Sequence, residues 1–306
     1  MTTSWGEADS TELSELSLVN YRFRLDRLLK VSDKPLLETL TDASGSYDAL
    51  RATTSLALST QKSICVAVLS YLKHSPEFAR RHPAVVACWQ ENKREMTQLV
   101  MVETDNNMKT GKYMDDVVPD INKMAEVAAK MKEGGLKTLR DTLDYLQLLM
   151  VTDMAPKRND YGALKVFKSA PTDDCGNYVI LPTPRNSTGS LVMHDYKTAR
   201  KGISYREELP VSVSNALRDS LVAFPRRHVF VGRDGKEMSD KAYGDAVKAT
   251  FRRRMGKNAG MTVIRHAYVT QRCNPGEVTR TELRKTAHAM QHTLEQQASY
   301  HMVGCD

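Results

Sequence analysis

Helical periodicity fills most of this chain and fails in one stretch, and that contrast limits the folds open to it. Leu13, Leu16, Leu18, Tyr21, Leu25, Leu28 and Leu29 recur at roughly helical spacing, with Arg22, Arg24, Arg27 and Lys30 as a basic, solvated face. A turn-rich piece at 42–46 precedes helical runs over 47–58 and 59–73, the second with Ser59 or Thr60 as its cap. His82-Pro83 opens a further helix holding Val85, Val86, Trp89 and Met96. Residues 118–132 and 136–150 read as two more, parted by Gly134-Gly135. The texture then changes. Residues 163–168, 178–181 and 191–196 are short and β-prone, separated by Pro, Gly, Asn and Asp, which predicts a small antiparallel sheet. From Val211 helices return, interrupted by strand-like 228–231 and a turn at Arg233-Asp234-Gly235.

The polar segment 104–116 has no apolar period and is the expected linker. It leaves a helical domain over 1–103 and a mainly helical domain with an embedded sheet over 117–306. A hydrophobic fraction of 41% supports a buried core. The formal charge of +7 suits nucleic acid or an anionic membrane surface without choosing between them. Five cysteines, none in CxxC spacing, form neither a disulfide framework nor a zinc site and fit a reducing compartment. The polar, acidic N-terminus is not a secretory signal, and no stretch approaches a membrane span. The expectation is a soluble intracellular protein.

Five short pieces in the second half carry chemistry. They are Ala155-Pro156-Lys157-Arg158-Asn159-Asp160-Tyr161, then His194-Asp195-Tyr196-Lys197-Thr198, then Thr262-Val263-Ile264-Arg265-His266-Ala267-Tyr268, then Met290-Gln291-His292-Thr293, and last Tyr300, eight residues beyond His292. Their order resembles the Arg, Lys, HxxR, His/Trp, Tyr series of the tyrosine recombinase (phage-integrase) family. APKRNDY and DYKT look most like the variant of eukaryotic DNA viruses and related mobile elements. The resemblance covers the second domain and extends loosely to the first, which is similar in length and helicity to the family's core-binding domain. It implies a catalytic α+β domain of the DNA breaking-rejoining type.

The resemblance assigns Arg158 and Arg265 to the non-bridging oxygens of a DNA phosphate, where bidentate, permanently charged groups are wanted. It makes Lys197 the general acid for the leaving 5′ oxygen, with Lys201 as substitute. His292 supports the phosphate, and Tyr300 is the nucleophile of a 3′-phosphotyrosine intermediate. No metal or cofactor is expected. His288 competes with His292, being four residues earlier on one helix face. Tyr268 reads as core, and Arg265 has a structural ion pair as its alternative.

Two departures stand out. The family's HxxR histidine falls at Thr262, which leaves Tyr300 without an obvious base; His266, beside Arg265, buttresses the site. Only 301–306 follow Tyr300, where family members often carry a further helix. The implied function is a site-specific recombinase or integrase working as a homotetramer on two double-stranded DNA sites, wherever the DNA lies: nucleus, viral factory or prokaryotic cytoplasm. DNA contacts are expected from Arg22, Arg24, Arg27, Lys30, Lys201, Arg252 and Arg253, with Arg80, Arg81, Arg226, Arg227 and Arg254 adding charge. The alternatives are a type IB topoisomerase, a degenerate relative that grips DNA without cutting it, and an accidental match in an unrelated basic helical protein.

Overall fold

A computed structural model describes residues 15–109, 119–172, 176–183, 187–196, 204–273, 278–298 and 300. The fold is mainly helical with one small mixed sheet. It divides into two compact units, Met1–Thr110 and Gly111–Asp306.

The first unit holds α1 (Glu15–Ser32), α2 (Leu36–Thr41), α3 (Ala43–Ala52), α4 (Leu58–Lys73), α5 (Pro76–Arg81) and α6 (Pro83–Lys109). Its core gathers Leu25 and Leu28 of α1, Tyr47 and Leu50 of α3, Ile64, Cys65 and Val68 of α4, and Trp89 and Met96 of α6. Two buried polar groups fix α6 on the α2–α3 corner: Trp89 Nε1 donates to Leu40 O at 3.1 Å and Asn92 Nδ2 to Ala43 O at 3.2 Å. The corner differs from the sequence reading. Asp42 is the cap of α3, accepting from Gly45 N, so 43–46 are its first turn rather than a loop. The cap of α4 is Ala57, with no side-chain bond, rather than Ser59 or Thr60. Helix α6 also runs through Lys109, into the expected linker, and residues 110–118 lie outside the described residues.

In the second unit, α7 (Ile121–Glu133) and α8 (Leu139–Thr152) lead into β1 (Lys165–Phe167), β2 (Tyr178–Ile180), β3 (Ser190–Met193) and β4 (Tyr205–Glu208). Then come α9 (Val211–Ala223), α10 (Asp240–Met255), α11 (Met261–Arg272), α12 (Arg280–Ala289) and α13 (Leu294–Ala298). Helix α8 is the centre: residues 144–151 are all buried, the pattern of a helix packed on every side. Ile121 and Met124, Val213 and Leu217, Val247 and Phe251, and Ile264 surround it in one core.

The sheet runs β1-β2-β3-β4. Strands β2 and β3 pair antiparallel as expected and β4 adds to β3 antiparallel, but β1 pairs with β2 in parallel, not antiparallel. The backbone of 227–229 holds the far edge of β1, through Val166 N to Arg227 O and Val229 N to Leu164 O, as an isolated antiparallel bridge rather than a strand. Strand β4, Tyr-Arg-Glu-Glu, escaped the sequence reading because its period-2 pattern points a glutamate, Glu207, inward.

One charge sits within the central helix. Asp144 accepts from Thr250 Oγ1 at 2.8 Å, from Arg253 at 2.9 and 2.6 Å, and from Arg254 Nε at 2.8 Å, locking α10 onto α8. Arg254 also bonds Asp141. Arg226 likewise turns inward, donating to Val229 O, Ser220 O and Phe224 O at the end of α9. Replacing Asp144 by alanine strands the buried Thr250 hydroxyl and takes one partner each from Arg253 and Arg254, so urea unfolding should show a loss of about 1–3 kcal/mol. A loss under about 1 kcal/mol would mean the network is incidental.

Candidate active site

Four segments of the second unit converge. Arg158 lies in the loop after α8. Asn177 staples that loop to the end of β3, donating to Asp160 O at 3.1 Å while its Oδ1 accepts from the backbone N–H of His194 and Asp195. Arg265 sits on the inner face of α11, 1% exposed. Its Nη1 donates to Pro156 O at 2.7 Å and Met290 O at 3.1 Å, and its Nη2 contacts His292 Nδ1 at 2.9 Å. One arginine thus ties the Arg158 loop to the His292 segment.

His292 is placed by how α12 ends. Gln291 takes a left-handed φ of 58°; its N–H bonds His288 O, and the His292 N–H reaches back to Ala287 O at 3.0 Å. That is a Schellman close with glutamine where glycine is commonest. Tyr300 follows α13 and is 7% exposed. Its ring stacks on His292 with centroids 5.4 Å apart, meets the edge of His266 at 4.5 Å, and lies 5.1 Å from the Arg265 guanidinium carbon. Its carbonyl accepts from His266 Nδ1 at 2.9 Å.

These contacts fix both tautomers. A guanidinium only donates, so His292 Nδ1 accepts and its proton is on Nε2. A carbonyl only accepts, so the His266 proton is on Nδ1 and its Nε2 is bare. Burial, with Arg265 and Arg158 adding to it, pushes His292 down to about 4. Burial also holds His266 below the usual histidine range. Both rings are neutral at pH 7. Burial lowers Arg265 too, and the nearby Arg158 adds to that effect. Among the described residues no carboxylate pairs with Arg265, so the ion-pair alternative is not what the structure holds. Its buried Nε–H has no acceptor. The amide nitrogen of Gln297, 3% exposed beside His292, has none either.

Arg158, Arg265 and Tyr300 line one open cleft of about 880 Å³, with Asn159, Lys241, Lys248 and the start of α11 at Gly260, Met261 and Thr262. The cap of α11, Gly260, offers no side chain to the first-turn amides. Thr262 is exposed on that turn. His288 packs against Tyr205, not Tyr300. Tyr268 is half-buried and packs on the core. Lys197 and Lys201 lie outside the described residues.

The basic residues expected at DNA fall into two groups. On α1, Arg22 and Lys30 are exposed, while Arg24 and Arg27 stand over the rings of Tyr21 and Phe23. On α10, Arg253 is held by Asp144 and Arg252 contacts Asn258. Sequence reasoning missed Asn177, Gln297 and Lys248 altogether. It quoted Lys157 within a motif without giving it a role. Among the described residues no group of three His, Cys, Asp or Glu side chains could hold a metal, and no helix is long and apolar enough to cross a membrane.

No protein-family model and no curated protein matches this chain. Among solved structures, the crystal structure of XerA recombinase is similar over 96% of this chain and 90% of that one, at 12% identity and a TM-score of 0.41.

The two depressed imidazoles set an acid limit. The unfolded chain takes up their protons near pH 6.5 and the folded chain does not, so stability is complete above about 6.5 and falls as pH drops toward about 4. NMR titration should place the His292 midpoint near 4, and urea midpoints should fall between pH 7 and 5. A His292 midpoint near 6.5 would contradict the buried, arginine-facing geometry.

Proposed function

We propose that this chain cleaves and rejoins DNA through a covalent link between Tyr300 and a DNA phosphate, as a site-specific recombinase of the tyrosine recombinase type. The observation that carries the reading is Arg265: a guanidinium 1% exposed, without a described carboxylate, with a buried N–H lacking an acceptor, set between His292 and Tyr300. An orphaned buried donor costs about 1–3 kcal/mol, and a bound anion at the cleft would satisfy it. Arg158 and the N-terminal end of α11 line the same cleft, and a helix N-terminus without a side-chain cap suits phosphate.

In this reading Arg158 and Arg265 bind the non-bridging oxygens, and neutral His292 donates from Nε2. Tyr300 Oη attacks phosphorus and loses its proton to the solvent-filled cleft. The bond to the 5′ oxygen breaks, and that oxygen takes a proton from the general acid, assigned to Lys197. The transition-state charge meets donors already in place, so little reorganisation is needed. His266 holds the Tyr300 backbone against α11, and the nucleophile comes from the same chain as the arginines. Residues 1–103 would grip the duplex, and a homotetramer would bring two duplexes together.

The test is covalent trapping. Protein incubated with supercoiled DNA or DNA carrying its native site, in EDTA, and quenched with SDS should give a protein–DNA adduct. Tyr300→Phe should abolish it, and Arg265→Ala should reduce it by about 10²-fold or more. An adduct that survives Tyr300→Phe would remove the assigned nucleophile. Relaxation of any plasmid at substoichiometric protein would turn the reading from recombinase to topoisomerase.

A further inference from the structure

Among the described residues of the second unit Lys157 is the one buried lysine, at 0% exposure, and it is not among the residues that line the cleft. The ammonium donates to two protein oxygens and is ion-paired with a third. Glu207 Oε1 of β4 lies 2.8 Å away, Tyr205 Oη of β4 lies 3.3 Å away, and the third partner is Ala289 O, at the end of α12. The ammonium also stands 4.6 Å from the Tyr205 ring centroid, and the Tyr205 hydroxyl donates a hydrogen bond to Glu207 Oε2. Burial pulls the ammonium below the usual lysine range, and Glu207 opposes that pull.

The residues beside these contacts matter. Lys157 precedes Arg158. Ala289 precedes Met290, and Arg265 bonds both Met290 O and Pro156 O. Two buried cations therefore cross-link the same pair of segments, one carrying Arg158 and the other His292. Strand β4 follows residues 197–203, which contain Lys197 and Lys201. Stability alone does not require this arrangement, since a buried ion pair is commonly replaced by apolar residues without loss. An apolar side chain cannot hold three acceptors at fixed positions.

We infer that Lys157, Tyr205 and Glu207 form a buried latch of positioning residues that sets Arg158 and His292 in register for the reaction and touches no substrate. The inference rests on the strand-cleaving reading above. It separates geometry from stability: without the latch the protein folds and binds DNA, but the reacting groups are misplaced.

The experiment compares wild type with Lys157→Met/Glu207→Leu by thermal midpoint, DNA affinity, single-turnover cleavage of a native-site duplex, and NMR titration of the His292 ring. The double variant should keep its midpoint within a few degrees and its affinity within about threefold, yet cleave about 10²-fold more slowly, the cost of an ångström-scale misplacement. Its His292 midpoint should rise toward the ordinary value as the Arg265 contact loosens. A folded double variant that cleaves at the wild-type rate overturns the latch. If the double variant does not fold, Tyr205→Phe decides: cleavage about tenfold slower with binding intact supports the latch, and an unchanged rate overturns it. Wild type that never cleaves would sink the functional reading instead. The His292 titration of the double variant, or of Tyr205→Phe, then judges the latch alone, with an unchanged midpoint counting against it.

Discussion

A guanidinium taken out of water must find partners, and the second unit is arranged around how Arg265 finds them. Its bonds to Pro156 O, Met290 O and His292 bring three distant parts of the chain to one point. Its Nε–H has no protein acceptor. Burial of charge is expensive, so a site that leaves one donor unmatched is poised for a ligand that supplies the acceptor. Around that arginine the other groups fall into place: two neutral imidazoles against the Tyr300 ring, a second arginine lining the same cleft, and a helix start without a side-chain cap.

The fold supports this point through polar contacts buried in an apolar frame. Helix α8 gives the frame, and Asp144 locks α10 to it. Asn177 and the Lys157 cluster then fix the loop that carries Arg158. The same economy explains why some basic residues are absent from the solvent-facing set. Arg226 and Arg254 serve a helix end and Asp144, leaving Arg22, Lys30 and Lys248 among those that face outward.

Much of this was legible in the sequence because it follows from local pattern. Leu25 and Leu28, or Val85 and Trp89, announce helices by spacing, and the β-prone stretch announces a sheet. The order Arg158, Arg265, His292, Tyr300 was visible as residue types at family spacing. What was not legible depends on partners far away in the chain. Strand β4 looks too charged to pair until Lys157, 50 residues earlier in the sequence than Glu207, is seen to neutralise it. Strand β1 is held on one edge by β2 and on the other by residues 227–229, and the roles of Asn177 and Gln297 come from backbone and ring atoms that no motif names. His288 and His292 are equivalent on a helical wheel, and only the left-handed turn at Gln291 separates them.

The central claim is that Tyr300 becomes bonded to DNA. The most direct measurement is mass spectrometry of the trapped complex after nuclease and protease digestion. A nucleotide remnant attached through phosphate to Tyr300 is the predicted result. A remnant on another residue, such as Tyr196 or Tyr268, or a complex held together without any covalent remnant, would contradict the account.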